Sequence, residues 1–187
     1  WPSVRQVRMT WLIIAIAAVA LFVIYLASTA GRLDRLHHRV DTALVSLDVQ
    51  LRRRTNAVMD LASSGLLDPA SSLVLADAAL LARDDERDPR GRAQQESDVT
   101  KAVGVVFGSR QDVEEFCRSA RGAELIDVLS GTVHRAELSR RFYNDAVRAC
   151  RAVRRQRLVR WFRLAGSAEM PNTVEMDDQI PGGLRNR

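Results

Sequence analysis

From Trp11 through Ala30 the chain reads WLIIAIAAVALFVIYLASTA, and no charged side chain stands between Arg8 and Arg32. At about 1.5 Å of rise per residue, roughly 20 residues cover the ~30 Å hydrocarbon core of a bilayer, so this run predicts a transmembrane helix. Trp11 and Tyr25 sit toward its ends, where amphipathic rings favour the headgroup level, and Arg8 and Arg32 bracket it. Ser28, Thr29 and Ala30 would also suit a signal-peptide cleavage site, but the apolar run is long for a signal-peptide core and reads better as a retained anchor. After it, Leu33, Leu36, Val40, Leu44, Leu47, Leu51, Val58 and Leu61 recur at spacings of three, four and seven, which draws one apolar stripe along a helix. No Pro or Gly interrupts Arg32 to Ser64, so the span and its extension form one rod that stops near Gly65.

Asp68 followed by Pro69 is an N-cap with proline at the first helical position, opening a helix to about Arg83. The stretch DDERDPRGR, Asp84 to Arg92, reads as a solvated loop. A broken helical region follows, from about Gln94 to Phe107 and again from Arg110 to Ser119 after the Gly108-Ser109 punctuation. Ala123 to about Leu164 reads as one long helix, weakened only at Gly131. From Gly166 onward, Pro171, Pro181, Gly182 and Gly183 with the acidic Glu175, Asp177 and Asp178 mark a tail that would be mobile alone, so holding it in place calls for a partner protein. No alternating strand pattern competes. The chain is therefore expected to be all-α: a flank over 1–10, a transmembrane helix over 11–30, an antiparallel helical bundle over 31–164 and an extended tail over 165–187.

Composition sharpens this picture. In 187 residues the hydrophobic fraction is 47%, too high for a disordered chain, and much of it is the single apolar run. The net charge is +5, with Lys101 the sole lysine beside 27 arginines, a bias that suggests a GC-rich bacterial source. Seven arginines, Arg148, Arg151, Arg154, Arg155, Arg157, Arg160 and Arg163, fall within 16 residues and, at 100° per residue, all round a helix. Leu158, Val159, Trp161, Phe162 and Leu164 interleave with them, as in membrane-interface segments. If the first and last helices pack antiparallel, this end returns to the bilayer surface. Arg154, Arg155, Arg157, Arg160, Trp161, Phe162 and Arg163 are thus candidates for contact with anionic lipid headgroups or an acidic partner, against the plainer reading of a solvated, salt-bridged helix end. No nucleic-acid motif accompanies the basic segment, and no nucleic-acid partner is expected.

Chemistry of other kinds is sparse. Adjacent His37 and His38 point about 100° apart on a helix and do not form an i, i+4 metal pair. His134 stands alone, and Cys117 and Cys150 lack a CxxC spacing, leaving free thiols or a single bridge open. No phosphate-binding glycine loop and no nucleophile, base and orienter set appears, so neither enzymatic activity nor a cofactor or metal is expected.

Two stretches, LDVQLRRR at Leu47 to Arg54 and RRFYNDAVR at Arg140 to Arg148, resemble the LemA family, and with the apolar span and the helical pattern the likeness runs from about Leu33 to Leu164. The resemblance implies a membrane-anchored antiparallel helical bundle with no established enzymatic activity. The chain departs from the family pattern at Thr55, Val58, Met59 and Asp60 after the first motif and at Arg157 to Arg160 near the end, which marks a divergent, actinobacterial-type member. Physically, Asp48, Gln50, Tyr143, Asn144 and Asp145 are expected to form one interhelix polar layer, pairing with Arg52 to Arg54 and Arg140 or Arg141 and fixing register. The functional expectation is a non-catalytic accessory subunit or assembly factor docked on a larger integral membrane complex, for which a respiratory-chain assembly is one candidate. The other readings are a free-standing LemA-like envelope protein that forms a homo-oligomer or binds anionic lipid, and a tethered adaptor for an acidic soluble protein. Small residues Ala15, Ala17, Ala18 and Ala20 would admit a neighbouring transmembrane helix. More arginines follow the span than precede it, which predicts a single-pass cell-membrane protein with its bulk in the cytoplasm.

Overall fold

A computed structural model describes residues 4–84, 89–166 and 168–185; parts of the expected flank, of the 84–92 loop and of the tail lie outside these described residues. Among the described residues all regular secondary structure is helical, without strands. Its elements are α1 (Val4–Ala62), α2 (Pro69–Asp84), α3 (Ala93–Val106), α4 (Arg110–Phe116), α5 (Ala120–Arg154), α6 (Arg157–Trp161) and a single 3-10 turn at Gly182–Leu184. α1 is one helix of 59 residues, long and apolar enough to cross a membrane. Every residue from Arg8 to Tyr25 is exposed, while Leu26, Thr29 and Ala30 are half-buried.

The helix boundaries follow their local chemistry. α1 ends just ahead of Gly65, which takes a left-handed φ of 71° that other residues adopt at a cost. Asp68 Oδ1 accepts the Ala70 and Ser71 amides at 2.9 and 3.0 Å, and Pro69 follows as the first residue of α2. Ser109 and Asp112 form a reciprocal capping box at the start of α4, each side chain accepting the other's backbone amide at 3.1 Å. Hydrogen bonds from Ser71 and from the Ser109 hydroxyl hold the Asp68 and Asp112 carboxyls below the usual carboxylate range.

One expectation fails at the end of the chain's last long helix. α5 stops at Arg154, Gln156 turns extended at φ −63° and ψ 137°, and the short α6 starts again at Arg157. Neither Gly nor Pro causes this. The restart buries Val159, and the side chains of Arg151 and Arg154 are engaged with the tail. The seven arginines accordingly do not lie on one continuous helix.

The chain divides into two compact units. The first holds the residues up to Arg39 with Ala149–Pro171; the second holds Val40–Arg148 with the residues from Asn172 onward. The core of the second unit takes Val58 and Leu61 from α1, Leu75 and Ala79 from α2, Val99 and Val103 from α3, Val113 from α4 and Ile126 and Leu129 from α5. Burying each of the larger side chains contributes about 1.5–3 kcal/mol before entropic costs. Of the apolar stripe expected along α1, Leu33, Val40, Leu47, Leu51, Val58 and Leu61 are buried and Leu36 and Leu44 half-buried.

Candidate functional site

In the second unit, one set of charges is buried with its counter-charges. Arg54 and Arg92 are 2% and 1% exposed, and both clasp Glu96, itself 1% exposed. Arg54 Nη2 reaches Glu96 Oε2 at 2.7 Å, and Arg92 Nε reaches Oε1 at 3.0 Å. Arg54 also donates to the Glu96 carbonyl at 2.7 Å and to the Thr100 hydroxyl at 3.0 Å. Asp48 supplies the second negative charge, accepting from Arg92 at 2.8 Å and Arg52 at 2.9 Å. That hydrogen bond raises the Arg52 guanidinium above its ordinary pKa. Isolated buried charges would be prohibitively costly, and a set with carboxylates on both sides of its guanidiniums is the arrangement that tolerates burial. Arg52, Arg83 and Arg92 line a concavity of about 230 Å³ beside it, but two of these three already hold carboxylates. Arg92 ends the stretch expected to be a solvated loop and is instead interior; Glu96, four residues on, was the sequence signal for its pairing.

The expected polar layer is distributed differently from its prediction. Asp48 joins the buried charge set, and Gln50 is half-buried with its Oε1 lacking a hydrogen-bond partner. Asp145 is exposed and pairs with Arg148 on its own helix. Tyr143 and Asn144 bind the tail: the Tyr143 hydroxyl donates to the Asn172 carbonyl at 2.6 Å, while the Asn144 amide accepts from Val174 N at 2.9 Å and donates to Val174 O at 3.1 Å. Arg140 holds Asp178 through two bonds of 2.6 and 2.8 Å, whereas Arg141 pairs with Glu137. From α3, the Ser97 and Thr100 hydroxyls bind the backbone of Asp177 at 3.0 and 2.8 Å. Val174 and Leu184 are buried, and at Gly183 an added Cβ would lie 2.5 Å from the Ser109 carbonyl, so only glycine fits that approach. The tail, expected to need a partner protein to hold it, is strapped down by side chains of its own chain.

In the first unit, arginines gather along the end of α5 and on α6. Arg154 donates to the carbonyls of Ala168 and Glu169 at 2.6 Å each and lies 3.3 Å from His37 Nε2, and Arg151 donates to the Pro171 carbonyl at 2.8 Å. These partners carry no formal negative charge. Arg155, Arg157, Arg160 and Arg163 are exposed, and among the described residues their side chains have no ion pair or hydrogen bond. Trp161 is 83% exposed, while Phe162 sets its ring edge-on to Phe22 of the apolar run, centroids 5.6 Å apart. Leu164 N bonds Val159 O at 3.0 Å and Arg163 N bonds Arg160 O at 3.3 Å, the double closure that ends a helix with a left-handed residue. That residue is Arg163, at φ 49°, where glycine is usual; a side chain there costs on the order of 1–2 kcal/mol. Arg154, Arg155, Arg160 and Arg163 line an open concavity of about 600 Å³, together with Val159, Ala165, Gly166 and Met170.

Of the remaining candidates, exposed His134 lies 3.9 Å from Glu137, Cys117 is a half-buried free thiol and Cys150 is buried. Compared with known proteins, the chain matches no family model, no curated protein and no solved structure.

Proposed function

We propose that this chain is a non-catalytic, single-span membrane-anchored protein that serves as an accessory subunit or assembly factor of a larger integral membrane complex. The observation that carries the reading is the uncovered apolar surface of α1: from Arg8 to Tyr25 every residue is exposed, and only lipid or another membrane-embedded helix is a favourable neighbour for it. Ala15, Ala17, Ala18 and Ala20 leave room on that surface for a close helix contact. The tail is held by its own chain, whereas the span and the arginine-aromatic end are exposed and open to partners. Along α1, Phe22 meets Phe162 and His37 meets Arg154, an order that supports the antiparallel course of a LemA-like bundle. The surplus of arginines after the span favours a cytoplasmic bulk.

Purification of the tagged full chain in gentle detergent tests this reading. Stoichiometric recovery of other integral membrane proteins is the expected result. A monodisperse homo-oligomer alone rejects it in favour of a free-standing, self-associating envelope protein.

A further inference from the structure

Resting on the membrane-anchored reading, we propose that the concavity lined by Arg154, Arg155, Arg160 and Arg163 binds the phosphate of an anionic phospholipid headgroup. At about 600 Å³ it has the size of a small-molecule site. Its lining residues include four guanidiniums and no carboxylate. Arg154 is fixed by two backbone carbonyls, which positions its charge without neutralising it, and Arg155, Arg160 and Arg163 have no described side-chain partner. Planar guanidinium forks match phosphate oxygens in paired hydrogen bonds, which makes arginine the side chain suited to this ligand. Arg163 adds a further sign: it occupies a left-handed position that glycine fills without strain, so its side chain is present at a cost to the fold.

The surroundings select a lipid over free phosphate. Val159 and Met170 give the concavity apolar wall, and Phe162, on the same turn as Arg163, packs against Phe22. Phe22 lies one turn inside Tyr25, the ring that marks the headgroup level at this end of the run. A ligand seated on the arginines therefore has an apolar helix surface directly beside it, along which acyl chains run while the phosphate stays with the guanidiniums.

The test uses the full chain, delipidated in detergent and titrated with phosphatidylglycerol or phosphatidylcholine, with bound lipid counted by native mass spectrometry. The wild-type chain is expected to retain phosphatidylglycerol at least tenfold more tightly than phosphatidylcholine, and the R155Q/R160Q/R163Q variant to lose that preference. R163G separates site from fold: its melting temperature should equal or exceed that of wild type while phosphatidylglycerol binding weakens at least threefold. Equal binding of the two lipids, or an unchanged preference in the triple variant, overturns the proposal. Displacement of phosphatidylglycerol by inorganic phosphate also overturns it, making the concavity a free-anion site. Alkaline extraction distinguishes the two levels of the argument: a chain released from membranes loses the anchor reading and this site with it, whereas a chain that stays inserted but binds both lipids alike loses the site alone.

Discussion

Arginine is used in opposite ways in the two units. In the second, Arg54 and Arg92 are interior, and each reaches a carboxylate at 3.0 Å or less. In the first, Arg155, Arg160 and Arg163 are exposed around one concavity with no described carboxylate partner. Part of the net charge of +5 is therefore concentrated around that concavity. Charges that serve the fold come with their counter-ions in the same chain; charges left without one are available to something outside it.

Removing the counter-ion from the matched set is the largest expected break in this contrast. Glu96→Ala leaves buried Arg54 without a carboxylate and Arg92 with Asp48 alone, and should destabilise the second unit by about 3–5 kcal/mol, measured by denaturant unfolding of the detergent-solubilised chain. Asn144→Ala comes next. It leaves the Val174 amide without its partner and the Val174 carbonyl with only the 3.5 Å bond from Arg140, costs about 1–3 kcal/mol, and should expose the tail to limited proteolysis ahead of the helices. Tyr143→Phe removes one hydrogen bond to the Asn172 carbonyl, worth about 0.5–1.5 kcal/mol in the same assay. The unmatched arginines give the smallest effect on folding: R155Q/R160Q/R163Q should leave stability within about 0.5 kcal/mol of wild type, since exposed unpaired charges contribute little to it. A large loss from the triple variant would mean that these side chains serve the fold after all.

Acid sharpens the comparison from another side. The folded-state pKa values of Asp68 and Asp112 lie below their unfolded values. Their contribution is therefore complete above the ordinary aspartate pKa of about 3.9 and is lost as pH falls through the lowered folded-state values. Circular dichroism during acid titration should show D68N and D112N variants with a shallower loss of stability below about pH 4 than wild type. An unchanged acid limb would remove these caps from the account.

Much of the helix pattern was legible because it is local. The apolar run, the stripe from Leu33 to Leu61, the Asp68-Pro69 start and the Gly108-Ser109 break each depend on residues within a turn or two of one another. Three features were not legible, because their causes are distant in sequence. The break at Gln156 carries no glycine or proline and lies where Arg151 and Arg154 engage the tail 14 to 20 residues on. The tail has no periodicity of its own; its backbone is bound by side chains 29 to 80 residues away, from Tyr143 to Ser97. Arg92 read as solvated because its neighbours Asp88 and Arg90 are charged, and its burial follows from contacts with Glu96 and Asp48. In the candidate site the arginines and aromatics were named from sequence, but their gathering around one concavity depended on the break and on the left-handed turn at Arg163.

If the exposed apolar run of α1 meets a neighbouring membrane helix, a photocrosslinker placed at Ala18 in native membranes will capture it. The predicted result is a discrete adduct with a different integral membrane protein, lost when Ala15, one turn away on the same helix face, is enlarged to Phe. Adducts with a second copy of the chain or with lipid alone would contradict it.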